Sequence, residues 1–307
     1  MHTPVLLNEV IENLNIQSNQ NFIDCTFGNA GHSMAILEKN KPNGIVVGID
    51  LDIKNILEHQ EKRLILINDN FANLEKIISE LSEQNLKFHG ILLDLGFSST
   101  QLEENGLGLS FQKDEFLDMR FNKIEAEVTA EKIINKYSEK DLANIFWKFG
   151  EEKYSRRIAR IIVQERKKKQ IKTTFDLVNA IKKATLKNYK KNKIHPATKV
   201  FQALRIVVNN ELENLKQVLP QAIKILEPKA RLCVISFHSL EDRIVKQFFK
   251  QESKDCVCPA EFPKCICQHQ AVLKIISKKV ITPSFEEIKN NPRSRSAKMR
   301  IGEKLAF

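Results

Sequence analysis

Four short apolar runs punctuate the first hundred residues: NFIDC at 21–25, GIVVGID at 44–50, LILIND at 64–69 and GILLDL at 90–95. Their length and Ile, Val and Leu content predict strands, and the stretches between them, such as 33–39 and 71–81, suit helices. Strands alternating with helices imply βαβ units and a parallel sheet. Beyond Gln101 the period changes. SRRIARIIVQER sets Ile158, Ile161 and Ile162 at helical spacing, TTFDLVNAIKKATL does so with Phe175, Val178 and Ile181, and FQALRIVVNNELENLKQVL continues with Phe201, Leu204, Val208, Leu212 and Leu215. Residues 105–215 are therefore expected to be mostly helical, an insertion within an α/β fold whose remaining parts are 1–104 and 216–307. Sheet character resumes with ARLCVISF at 230–237 and AVLKIISKKVI at 271–281.

Chemistry gathers where these strands end. The first strand runs into Asp24 and a loop with Gly28 and Gly31, and the second ends at Asp50 and Asp52. Glycines at a strand-to-helix turn admit a ligand close to the backbone, and an acid at the next strand tip accepts hydrogen bonds from ribose hydroxyls. The dinucleotide fingerprint G-x-G-x-x-G is absent, and so is a P-loop. S-adenosylmethionine, a nucleoside without a phosphate tail, fits, with Asp50 on the ribose and the 28–32 backbone beside the methionine part. A tight turn that uses Gly for its backbone freedom is the other reading. Asp94 ends the fourth strand on the same sheet edge, where an acceptor can bind the proton donor of a reacting group. Phe97, just beyond it, can stack on a base. A capping or turn role is the alternative for Asp94.

Charge adds a partner. The 307-residue chain carries +11 overall. Residues 153–193 alone hold fifteen Lys or Arg against Glu165 and Asp176, hence 15 − 2 = +13. So concentrated an excess points to a polyanion such as RNA, against the alternative of a solvated lysine-rich surface. MHTPVLLNEVIENL lacks a basic leader, and no run of ~18 uncharged apolar residues follows, so a cytoplasmic location is expected. There disulfides are disfavoured. Cys256, Cys258, Cys265 and Cys267 can then hold a tetrahedral zinc, with His269 in reserve, or remain free thiols. Cys25 and Cys233 are expected in the core.

The blocks DCTFGNAGHS, DLGFSSTQL, LSFQKDEFLDMRF, SRRIAR, HPATKVFQALRIVVNNEL, ISFHSLEDRIVK and NPRSRSAKMR, in that order from 24 to 300, closely resemble the bacterial 16S ribosomal RNA cytosine-N4 methyltransferase family across nearly the whole chain. The resemblance implies a class I S-adenosylmethionine-dependent methyltransferase fold with a helical domain inserted after the fourth strand. It further implies methylation of a cytosine N4 amine in the decoding centre, at position 1402 in the usual rRNA numbering. Carried over by position, cofactor contacts fall on Ala30, Gly31, His32, Asp50, Phe71, Asp94 and Gln101, with Asp94 catalytic. Phe71 reads equally as a core residue and Gln101 as a surface amide. Asn29, Phe116 and Asn122 depart from the family pattern, while Asp118 and Arg120 are retained.

Three clusters are candidates for RNA phosphates or a flipped base: His195 in HPATK with Arg205, His238 in SFHS with Arg243, and Arg293 and Arg295 in the tail. His238 reads equally as a structural histidine, with Glu241 and Asp242 opening the next helix. The expected partner is 16S rRNA within the small ribosomal subunit or a late precursor of it. Two rivals stand beside this reading: an inactive methyltransferase-like assembly factor, and a methyltransferase of proteins or small molecules. The basic stretch opposes the latter; Asp50 and Asp94 oppose the former.

Overall fold

Seven strands form one sheet: β1 (Asn21–Asp24), β2 (Val46–Asp50), β3 (Leu64–Asn68), β4 (Phe88–Asp94), β5 (Leu226–Ser236), β6 (Leu273–Ile275) and β7 (Lys298–Lys304). Their order is β3-β2-β1-β4-β5-β7-β6. The first five are parallel, whereas β7 runs antiparallel to both β5 and β6. The computed structural model describes residues 4–51, 61–96, 106–122, 126–185, 195–259, 261–262 and 264–306.

The apolar runs become strands because the sheet is covered on both faces. Along β4, Ile91 and Leu93 enter one buried cluster and Leu92 the other; along β5, Leu232 and Val234 oppose Cys233 and Ile235 in the same way. With side chains alternating at period two, two covered faces demand apolar residues at every position. Helices α1 (Leu7–Leu14), α2 (Gly31–Lys39) and α3 (Leu74–Glu80) accompany the first four strands. This is the Rossmann-like arrangement expected, except for its antiparallel strand. β7, KMRIGEK, carries only two large apolar residues and was not anticipated as a strand; Met299 and Ile301 are buried by pairing with β5. Most of 271–281, expected as strand, is not, and β6 spans three residues.

The chain divides into two compact units, Met1–Gly96 with Leu212–Phe307, which holds the sheet, and Phe97–Glu211. The second is built from α4 (Ala130–Lys136), α5 (Glu139–Gly150), α6 (Ser155–Lys168), α7 (Thr174–Ala184) and α8 (Ala197–Val208). Thr129, Ser138 and Thr173 cap α4, α5 and α7 by accepting a backbone N–H three residues on. Ile158 and Ile162 of α6 join Val178 and Ile181 of α7 in its core. Phe175 does not: it is 42% exposed, and Leu177 takes the core position. The single period read across 201–215 is in fact two helices. Asn210, at φ 53, ends α8, and α9 (Glu211–Ile225) follows. The Asn209 amide stabilises the break, accepting from Phe121 N–H and donating to the Met119 carbonyl. Phe201 and Leu204 serve the helical core, and Leu215 serves the sheet core. Among the described residues no helix is long and apolar enough to cross a membrane.

Candidate active site at the carboxyl edge of the sheet

Strand order reverses between β1 and β4, which lie side by side. Loops leaving such neighbours diverge and open a crevice at their carboxyl ends. Asp24 and Asp94 occupy those ends. Asp24 is almost fully buried. Its carboxylate accepts from Thr26 N–H at 3.1 Å and from the Ser33 hydroxyl at 2.7 Å. The Thr26 hydroxyl oxygen in turn accepts from Asp94 N–H at 2.7 Å, so one buried acid ties the first loop, α2 and the tip of β4 together.

The β1–α2 loop turns through Gly28 at φ 50 and Ala30 at φ 63. A Cβ on Gly28 meets only the Thr26 carbonyl, at 3.7 Å, so the glycine serves the turn and leaves space beside the backbone. Gly31 has a different reason. A Cβ there falls 2.2 Å from Pro4 Cγ, so its smallness admits the N-terminal segment. Asp50 at the tip of β2 accepts the Gly28 N–H at 2.7 Å, which sets the loop against the second strand. Phe71 is half-buried against the sheet core, in a short turn capped by Asn70.

His32 is buried, and its Nε2 lies 3.0 Å from the Val5 carbonyl. A carbonyl only accepts, so Nε2 carries the proton and Nδ1 faces Asp94 Oδ2 at 3.7 Å. Asp94 Oδ1 is buried with no hydrogen-bond partner among the described residues. The Asp94 carboxyl is pushed up from the usual 3.8 to about 6: burial is the main cause, His32 pulls the other way, and the negative Asp24 and Glu241 add to the rise. The result is a carboxyl with an unfilled acceptor site and more basicity than an ordinary aspartate, suited to a neutral N–H donor that must give up a proton. The crevice thus sets a buried acceptor, unpartnered among the described residues, at the same sheet edge as an open glycine turn.

Other candidates are engaged elsewhere. His238 caps α10 (Ser239–Glu252): its Nδ1 accepts from Glu241 N–H, and the Glu241 carboxylate accepts from Phe237 N–H at 2.8 Å and His238 N–H at 3.2 Å. Its Nδ1 thus serves the cap, while its Nε2, 3.2 Å from the Glu241 carboxylate, is buried without a hydrogen bond among the described residues. Arg205 donates to both carboxylate oxygens of Glu211 at 2.8 Å, an ion pair within the helical unit. His195 stacks on Phe111 at 4.7 Å and accepts from Ala197 N–H at the start of α8. Arg243, Arg293 and Arg295 are exposed. Asp242 is bound by Arg300 at 2.7 Å. Phe97 and Gln101 lie outside the described residues. Thr26 and Ser33 were not anticipated; only their place after a strand-ending Asp hinted at them.

In the helical unit Arg156, Arg157, Lys167, Lys168, Lys182 and Lys183 are exposed on α6 and α7. Glu165 lies between Lys168 and Lys183, whose hydrogen bonds hold its carboxyl down to about 2. The residues of the basic stretch at 186–194 lie outside the described part.

The model of the MraW methylase family matches residues 1–305. Ribosomal RNA small subunit methyltransferase H of Dehalococcoides mccartyi is 49% identical over 310 residues, spanning 99% of this chain and 86% of its own. The proteins of that name from Finegoldia magna and Halothermothrix orenii are 45% and 44% identical over 311 residues, each spanning 99% of this chain and 98% of its own.

Proposed function

The chain belongs to the MraW methylase family, and from that premise we propose that it methylates the N4 amine of a cytosine in 16S rRNA, position 1402 of the decoding centre, using S-adenosylmethionine. The observation that carries the reading is Asp94 at the tip of β4, whose buried Oδ1 lacks a partner among the described residues. When bound, the donor supplies an electrophilic methyl group on a sulfonium. The turn at Gly28 and the Asp50 carboxylate, which accepts the Gly28 N–H, would hold it. An exocyclic amine conjugated to its ring is a poor nucleophile, and its N–H would turn acidic as the methyl carbon passes from sulfur to nitrogen, the sulfur keeping the bonding pair as a neutral thioether. Asp94 accepts a hydrogen bond from that N–H, aims the nitrogen lone pair, and takes the proton as charge develops. Thr26 anchors the backbone N–H of Asp94, and His32 Nδ1 lies 3.7 Å from Oδ2, so neither fills Oδ1. The target base must leave its stack to reach such a crevice, and the exposed lysines and arginines of α6 and α7 carry the charge that RNA phosphates call for.

The test is methyl transfer from labelled S-adenosylmethionine to small ribosomal subunits lacking the modification, followed by nucleoside analysis. N4-methylated cytidine formed by the native protein and lost in Asp94→Asn, with cofactor binding retained, supports the proposal. Label in another nucleoside, or transfer unaffected by Asp94→Asn, overturns it.

A further inference from the structure

Between α10 and β6 the chain spends residues 253–272 without a helix or strand among those described, and none of these is buried. Three of its large apolar side chains point outward: Val257, Phe262 and Ile266 are 40%, 47% and 69% exposed. A connection longer than about 15 residues is uncommon in a compact domain unless it has a task or a staple. Among the described residues of 253–272 only Val272, at the far end, packs against the sheet core.

The same loop gathers four thiols. The Sγ atoms of Cys256, Cys258, Cys265 and Cys267 all lie within 4.8 Å of one another, and all four cysteines are free. Cys265 and Cys267 are 3.6 Å apart and Cys267 and Cys256 3.8 Å. Zinc–sulfur bonds of about 2.3 Å in a tetrahedron place sulfurs about 3.8 Å from one another. The backbone is arranged for thiolates as well. Val257 N–H donates to Cys267 Sγ at 3.5 Å, and Ile266 N–H donates to Cys258 Sγ at 3.4 Å. In each C-x-C pair the amide of the middle residue thus serves the last sulfur of the other pair, a reciprocal pattern that spreads the negative charge of a four-thiolate centre.

We propose that Cys256, Cys258, Cys265 and Cys267 bind one Zn²⁺ that folds the 253–272 loop and holds it against the end of α10. Four sulfurs close the coordination sphere and leave no open position, so the site is structural and not catalytic. Binding replaces four S–H bonds by four Zn–S bonds; the protons pass to solvent and nothing is oxidised or reduced.

Elemental analysis of the full-length protein purified without chelator should find one zinc per chain, lost in the Cys256→Ser/Cys267→Ser double variant. Independently of how that variant folds, native protein stripped by a chelator and titrated with Co²⁺ should develop the intense visible bands of tetrahedral cobalt with sulfur-to-cobalt charge transfer, saturating at one equivalent. Added zinc should bleach those bands and slow proteolytic cleavage within 253–272. Pale octahedral cobalt, iron in place of zinc, two disulfides by mass under reducing purification, or metal retained by the double variant would each overturn the proposal.

Discussion

Replacing Asp94 by Asn is expected to make the protein more stable at neutral pH while abolishing methyl transfer. The folded protein raises this carboxyl from 3.8 to about 6, so the ionised form is less favourable folded than unfolded. At 1.36 kcal/mol per unit the shift amounts to about 3 kcal/mol. With 22% of the side chain reaching water, a measured gain of about 1–3 kcal/mol is expected after screening. The sign follows from proton linkage. The folded state binds more protons than the unfolded state between the two values, so the native protein is most stable below about pH 4 in this respect and loses stability as pH climbs through about 6. Asn carries no charge at any of these pH values and removes that slope. Urea unfolding of both proteins at about pH 4 and pH 7.5 reads the difference: near coincidence at the acid value, and a higher midpoint for the variant at the alkaline one. Methyl transfer by the native protein should rise with pH through an inflection near 6, because only the ionised carboxylate accepts a proton. A variant no more stable than the native protein at pH 7.5 would refute the claim that Asp94 is held at a cost in folding, and with it the physical basis of its basicity.

Two further outcomes follow from the same contacts. Asp24→Asn removes a negative charge that raises the Asp94 carboxyl, so the inflection of the pH–rate profile should move to lower pH; an unmoved inflection would show that Asp24 acts only through the Thr26 and Ser33 hydrogen bonds. Arg205→Met should lower stability by about 1.5–3 kcal/mol through loss of its bidentate pair with Glu211, and a double-mutant cycle with Glu211→Met should assign most of that loss to the pair. The logarithmic salt dependence of RNA binding should stay the same; a slope reduced by about 0.7–0.9 would instead place Arg205 on a phosphate.

The parallel half of the sheet was legible along the chain because strands covered on both faces must be apolar throughout, and because Gly28, Asp50 and Asp94 mark the ends of such strands whatever packs around them. Helical spacing likewise identified α6 through Ile158 and Ile162, since one face against a core imposes its own period. The remainder depended on residues far apart in sequence. KMRIGEK has no strand pattern of its own; it becomes β7 through pairing with β5. One apolar stripe across 201–215 divides between two cores, because Asn210 can adopt a left-handed turn and Asn209 finds Met119 and Phe121 to hold it. Gly31 is small for the sake of Pro4, and Arg205 is spoken for by Glu211. The basicity of Asp94 also lies beyond any motif: it arises from burial and from Asp24 and Glu241, one seventy residues before it and one nearly a hundred and fifty after. A sequence carries the periodicities that burial imposes on each element, but the field at a buried group is a sum over neighbours that only the folded chain assembles.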